Sequence, residues 1–417
     1  LGETVQDIAN SIVEKESVTE EENRTSSNIF ELGINILRVH NDLHQDIMRL
    51  VNDPILILEG DAGVGKSHLM ADTVQRRQKE NLFSLFFLGQ KFVTDEEPFT
   101  QIMRMLSFSS SSEELLETLE AKAESTGHRI IIFIDAINEG HGLAIWQSNI
   151  RSFIDKIRQH PWLGLVLSIR TSYQPAILPW EEFGNDYCVW ARHYGFGANT
   201  QKAVQLYFKE YGILYPSVPL LNPEFKNPLF LHLFCEGMKN NGYKKIPDGV
   251  KGITSIMNLF FDGIEKSLRK AKHYSPSIKC VDKTVHKYIE FTAKEGRHEM
   301  PIDTAIEIFS DIYPRVFTEG ELLDCLISEG VFSKNVFYNT VDKYEECIYF
   351  TYERFENFLQ AEYLIDKLQF DDKALEEYVL TIKSPYIVGG LLESLAILLP
   401  ERKGIELYLS LIHISEP

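Results

Sequence analysis

An apolar run, Pro54-Ile55-Leu56-Ile57-Leu58-Glu59, leads directly into Gly60-Asp61-Ala62-Gly63-Val64-Gly65-Lys66-Ser67 and then His68-Leu69-Met70-Ala71. A strand, a loop of the form G-x-x-x-x-G-K-[ST] and the start of a helix, in this order, confine the chain to a narrow set of folds. The glycines let the backbone wrap an anion, so that N–H groups and the helix N-terminus point at negative charge. Lys66 is long enough to reach the β- and γ-phosphates of a nucleoside triphosphate, and the Ser67 hydroxyl can ligate Mg²⁺. The bare pattern should arise by chance in about one or two per cent of chains of this length. The flanking strand and helix make a fortuitous glycine turn rarer still. The candidate phosphate-binding residues are therefore Gly60, Asp61, Ala62, Gly63, Val64, Gly65, Lys66, Ser67 and His68.

A loop of this kind needs a parallel sheet beneath it, and the sequence supplies the strands. Residues 82–88 read as a second strand. Arg129-Ile130-Ile131-Ile132-Phe133-Ile134-Asp135 is near-continuously apolar, as a strand buried on both faces requires. Two further strands are expected at 163–169 and 187–191. Between them Trp146, Ile150, Phe153, Ile154 and Ile157 share one helical face, which reads as core. The serine-rich run 107–112 reads as a surface connector that caps a helix starting at Glu113. Strands alternating with helices imply an α/β domain with a parallel sheet up to about residue 195.

Beyond that point the pattern turns helical. Val204, Tyr207, Phe208 and Tyr211 form a stripe that stops at Gly212. Thr318 and Glu321 have the spacing of a capping box, Leu322, Cys325 and Leu326 make a buried face, and Gly330 ends that helix. Two short strands, 331–337 and 347–352, flank a polar turn at 339–346 and precede a helix carrying Phe355, Phe358 and Leu359. Helices followed by a hairpin suggest a winged-helix domain. The expected organisation is a charged linker and helix at 1–45 (helical over 28–50), a P-loop NTPase core at 46–195, a helical domain at 196–275, a winged-helix domain at 276–370, and a further helical region at 371–417. The sequence begins at Leu1 and ends Ser410-Leu411-Ile412-His413-Ile414-Ser415-Glu416-Pro417, which resembles a translated adapter tail. The expectation is a piece of a longer chain.

Bulk properties exclude some functions. With 417 residues, 44% hydrophobic and 25% charged, the chain has room for two to four globular domains. A formal net charge of −19 argues against sequence-independent binding of nucleic acid, which relies on clustered Lys and Arg. Cys188, Cys235, Cys280, Cys325 and Cys347 contain no C-x-x-C pair and read as free thiols of a reducing compartment. The longest apolar stretch, 386–400, is interrupted by Gly389, Gly390 and Glu393, and is too short and polar to span a bilayer. No basic-then-apolar leader opens the sequence. A cytoplasmic location is expected.

Hydrolysis needs more than a phosphate loop. Asp135 ends a buried strand, where ligands of open α/β sheets collect, and is placed to hold Mg²⁺; the competing reading is a capping aspartate. Glu139, four residues on, is the candidate to polarise an attacking water, against a reading as a solvated loop charge. Arg170, at the end of the next strand, could contact the γ-phosphate, against a reading as a surface arginine.

The phosphate loop, Ile134-Asp135-Ala136-Ile137-Asn138-Glu139 and the strand ending in Arg170 together resemble the STAND class of signal-transducing NTPases, which includes the NACHT ATPases. Asn227-Pro228-Leu229-Phe230-Leu231 resembles that family's G-x-P segment, whose proline contacts adenine; local chemistry alone makes Pro228 a helix-start proline. Phe350-Thr351-Tyr352-Glu353-Arg354-Phe355-Glu356-Asn357-Phe358-Leu359 is similar to the family's winged-helix segment. Many NACHT proteins have a histidine on the β-phosphate where this chain has Tyr352, and a core tyrosine is the competing reading. In wording, Gly65-Lys66-Ser67-His68-Leu69, Leu167-Ser168-Ile169-Arg170 and Phe350-Thr351-Tyr352-Glu353-Arg354-Phe355 look most like the bacterial antiviral STAND ATPases of the AVAST group. The resemblance spans about residues 45 to 400. It implies an ATP/ADP switch with Mg²⁺, a homo-oligomer on activation, and a trigger protein, such as a phage protein, bound by a sensor region outside this sequence.

Three other readings remain open. AAA+ remodelling motors and helicase loaders usually place the catalytic glutamate directly after the metal-binding aspartate, where this chain has Ala136. A phosphotransferase needs an arginine-bearing lid near the phosphates, yet Arg170 and Arg192 are the only arginines between Arg158 and Arg269. A scaffold that binds nucleotide and hydrolyses little would show the same motifs.

Overall fold

The computed structural model describes residues 46–139, 142–216, 223–247, 252–339, 343–367 and 385–403, together with 31, 378 and 382. Of the helix expected over 28–50, Glu31 and Asp46–Arg49 are helical and Leu50 lies in a turn; the rest lies outside the described residues.

Strands β1 (Ile55–Gly60), β2 (Ser84–Leu88), β3 (Ile130–Asp135), β4 (Leu163–Arg170) and β5 (Val189–Arg192) form an all-parallel sheet in the order β2-β3-β4-β1-β5. Helices α1 (Lys66–Lys79), α2 (Pro98–Met105), α3 (Ser112–Thr126) and α4 (Gly142–Arg158) connect them. The apolar face expected on α4 is buried, with Trp146 and Ile154 fully so, and Trp146 packs edge-on against Phe153 at 5.2 Å. Ser111 caps α3 by accepting a hydrogen bond from the Glu114 N–H at 3.2 Å. β5 starts two residues later than expected. The N–H groups of Tyr187 and Cys188 both turn back to Gly184 O (2.9 and 3.2 Å), so neither is free to donate to the ladder.

From β1 the chain crosses to the far edge, returns through β2, β3 and β4, and then places β5 on the other side of β1. β1 is thus the switch point of the sheet, and the crevice beyond its carboxyl end is where a ligand is received. Register fixes the neighbours there: Gly60 lies opposite Arg170, and Leu88 opposite Asp135.

The second body contains α5 (Thr200–Tyr211), α6 (Pro228–Asn241), α7 (Gly252–Lys272), α8 (Cys280–Glu295), α9 (Ile302–Ser310), α10 (Glu321–Ser328), α11 (Glu353–Lys367) and α12 (Pro385–Lys403). A small antiparallel sheet joins β6 (Met300–Pro301), β8 (Lys343–Phe350) and β7 (Phe332–Asn339), in the order β6-β8-β7. The hairpin strands run longer than sequence suggested. Polar residues such as Glu345 and Glu346 belong to β8 because a strand with a solvated face tolerates them. Thr318 and Glu321 do meet, but not as a reciprocal box. The Glu321 carboxylate accepts from both Thr318 N (2.9 Å) and Thr318 Oγ1 (3.1 Å), and α10 starts after Gly320.

Two main hydrophobic cores result. One, from Ile55 to Cys188, lies under the parallel sheet; the other runs continuously from Ala203 to Leu399 through α5–α12 and the small sheet. Phe230 of α6 ties the latter together, 5.8 Å from Tyr352 and 6.2 Å from Phe355. The apolar stretch near the C-terminus becomes α12, whose Leu391, Leu395 and Leu399 are fully buried in this core. Among the described residues no helix is long and apolar enough to cross a membrane. All five cysteines are free, four of them buried.

Candidate nucleotide-binding site

β1 delivers the chain to Gly60 at the crevice, and the next turns are built on left-handed backbone: φ is +74° at Gly63 and +104° at Gly65. Only glycine adopts both without strain. Gly65 begins α1 with no side-chain cap, so the first-turn N–H groups of α1 are not claimed by a capping side chain and can serve an anion. Lys66, 8% exposed, folds back over the loop and donates to Gly60 O (2.6 Å) and Asp61 O (2.9 Å). Burial lowers its pKa to about 8 and the Arg170 charge pushes the same way, while Asp135, Asp61 and Glu139 act against them. Ser67, His68 and Asp61 are exposed on the loop and the first turn.

The end of β3 brings in the acidic group. Asp135, 4% exposed, accepts a hydrogen bond from Ser168 Oγ at 2.5 Å, and the same oxygen accepts from Ala136 N at 2.7 Å. Ser168, fully buried on β4, therefore fixes both the carboxylate and the turn after it. Asn138 accepts from Arg170 N at 3.1 Å. Neither Ser168 nor Asn138 was singled out from the sequence as a site residue. The available signal was a lone hydroxyl inside the apolar strand Leu163–Arg170, because a buried polar group must find a partner.

Arg170 stands at the end of β4, between the phosphate-loop strand and the Asp135 strand. It is not a surface arginine. Its guanidinium is about one-fifth exposed and contacts Glu139 at 3.1 Å and Glu353, at the start of α11, at 3.4 Å. Burial disfavours its charge, but Glu353 and Glu139 outweigh that and raise its pKa. Beneath this contact a cavity of about 60 Å³ lies between the two bodies, lined by Asn138, Glu139 and Arg170 on one side and His298, Glu353 and Glu356 on the other. Glu139 is therefore held in an ion pair rather than solvated.

On the other flank, α6 begins directly on the phosphate loop. Asn227 caps it, accepting from Leu229 N (3.0 Å) and Phe230 N (3.2 Å), and donates from Nδ2 to Ala62 O (2.9 Å). Pro228 lies beside Gly65, where an added Cβ would stand 3.9 Å from its Cγ. Tyr352 is 3% exposed, packed on Phe355 at 4.9 Å. Burial, then Glu224, to which its hydroxyl is bonded, raises its pKa. A cleft of about 1010 Å³ opens here, lined among others by Asp61, Val64, Tyr194, Asn227, Tyr352 and Arg354. That is ample for a nucleotide.

The structure thus gathers Lys66, Asp135, Glu139 and Arg170 at the crevice, with Pro228 beside Gly65 and Tyr352 lining the cleft. Ser67 and Asp135 offer one hydroxyl and one carboxylate, the donor set of a Mg²⁺ that takes its remaining ligands from phosphates and water. Among the described residues no group of three or more His, Cys, Asp or Glu could hold a metal.

No protein-family model matches the chain, and neither does any curated protein. Solved structures of low similarity include Cdc6p from Pyrobaculum aerophilum, with 12% identity over 86% of this chain and 99% of that one, at a TM-score of 0.32. AMPPCP-bound DnaA from Aquifex aeolicus has 12% identity over 91% of this chain and 92% of that one, TM-score 0.32. The DNA complex of Orc1 from Aeropyrum pernix has 12% identity over 78% and 93%, TM-score 0.30. Likenesses this distant carry no weight, and the reading of the site rests on its own geometry.

Proposed function

We propose that this chain is a nucleotide-controlled switch: an ATPase module that binds ATP or ADP with Mg²⁺ on its phosphate loop and uses the nucleotide's state to set how its second body sits on the parallel-sheet core. The observation that carries this reading is the sharing of Arg170 between Glu139 of the core and Glu353 of α11. A cation at the phosphate end of the sheet is held by both bodies at once. A γ-phosphate arriving beside Lys66 would compete with these carboxylates for it. Loss of the Glu353 contact would loosen the second body, and loss of the Glu139 contact would leave that carboxylate free to polarise water. The ADP state is then closed and slow, and the ATP state open.

The resemblance to NACHT-type STAND ATPases supports the same reading. It extends it to homo-oligomerisation in the open state, a protein trigger that favours opening, and a role in antiviral defence. A trigger acts by binding the open state more tightly than the closed one. The second reading, an AAA+-like remodelling ATPase or helicase loader, draws on the same placement of the cleft between core and helical body. Continuous turnover in a ring, stimulated by a substrate polymer, would establish it instead. The nucleotide claim common to both is tested by Lys66→Ala, which should abolish ADP and ATP binding in calorimetric titration; unchanged affinity would show that the loop does not hold the phosphates.

A further inference from the structure

The phosphate loop does not stand alone on the core. Its N–H groups face inward to receive an anion, so its carbonyls face out and need partners of their own. Lys66 serves Gly60 O and Asp61 O, while Ala62 O and Gly63 O find their partners in the second body. The Asn227 amide donates to Ala62 O at 2.9 Å, and the Leu229 N–H, already bonded to Asn227 Oδ1 at 3.0 Å, also reaches Gly63 O at 3.3 Å. The contact is tight: a Cβ at Gly63 would come within 2.8 Å of Leu229 Cβ and 3.1 Å of Asn227 Oδ1. Asn227 thus uses its two amide atoms for different tasks, the oxygen capping α6 and the nitrogen holding the loop.

We propose that Asn227 is a positioning residue for nucleotide binding, fixing the phosphate loop in its anion-receiving shape only while α6 is docked. This rests on the phosphate-loop reading above and adds the means by which movement of the second body changes nucleotide affinity. With α6 docked, the loop is preorganised. With α6 displaced, Ala62 O and Gly63 O lose their donors and the loop must be ordered at the expense of binding. Coupling is reciprocal, so bound ADP holds α6 against the core by the same amount that docking strengthens ADP binding. Opening and ADP release become one event.

Asn227→Ser separates the two tasks. Serine caps a helix as well as asparagine and adds no charge, but its hydroxyl cannot span to Ala62 O while capping. The expected result is ADP affinity lowered about five- to tenfold, as for one lost hydrogen bond, with the thermal midpoint without nucleotide nearly unchanged. Hydrogen exchange of the amides at 60–67 in the nucleotide-free protein should also speed up. Asn227→Ala, which loses the cap as well, should lower both affinity and thermal midpoint. Wild-type ADP affinity and wild-type exchange in Asn227→Ser would overturn the proposal. If the wild-type chain bound no nucleotide, the phosphate-loop reading would fall, and the exchange measurement would still decide whether Asn227 orders the loop.

Discussion

Glu353→Gln keeps the size and hydrogen-bonding capacity of its side chain and removes one of the two negative charges on Arg170. The partners are 3.4 Å apart and 22% and 23% exposed, between a surface pair and a buried one. At an effective dielectric of about 20, unit charges about 4 Å apart attract by about 4 kcal/mol. The water that both groups give up offsets much of this, leaving about 1–2 kcal/mol for a pair so placed. Since the contact joins α11 to the core, its loss shifts the closed–open balance toward open by about 5- to 30-fold. ADP held by the closed form should leave faster by a similar factor. The assay is release of a fluorescent ADP analogue chased with excess ADP, with urea unfolding as a check on the fold. Glu307→Gln, an exposed charge on α9, serves as the control and should leave release unchanged. A Glu353→Gln protein that is stably folded and releases ADP at the wild-type rate would refute the reasoning.

Two further outcomes are expected. Lys66 has its pKa lowered from 10.5 to about 8, so in the free protein its charge is lost as pH rises through about 8. ADP affinity should fall above that pH by up to about tenfold per unit. Folding stability should move the opposite way between about 8 and 10.5, because there the unfolded chain holds the proton that the native lysine has given up. Titration of ADP binding from pH 7 to 9.5 checks this, and a flat profile contradicts it. Glu139→Gln should retain ATP binding and slow single-turnover hydrolysis by about 10²- to 10⁴-fold; normal turnover removes Glu139 from the reaction.

The part of this protein most legible in sequence was the part governed by local rules. The phosphate loop, the doubly buried strand ending at Asp135 and the α4 face each follow from residue periodicity and glycine stereochemistry. The contacts that make the site a junction do not. Arg170 and Glu353 are 183 residues apart, and Asn227 and Ala62 are 165 apart. No spacing rule connects such pairs. Local chemistry read Pro228 as a helix start, and it gave no signal for the hold that Asn227 has on the loop. Tyr352 reads as core because it is core, packed on Phe230 and Phe355, and it still lines the cleft. Ser168, which acts within the core and not at the junction, did carry a local clue, a hydroxyl in an otherwise apolar strand.

The separation between the two bodies is the quantity on which everything else depends. Spin labels at exposed Ser125 of α3 and exposed Asp303 of α9 would report it by pulsed electron resonance in ADP and in a non-hydrolysable ATP analogue. A nucleotide-controlled switch predicts a short, narrow distance distribution with ADP and a longer or broader one with the ATP analogue, the difference vanishing in Lys66→Ala. One and the same distribution in both nucleotides, with both bound, would contradict it.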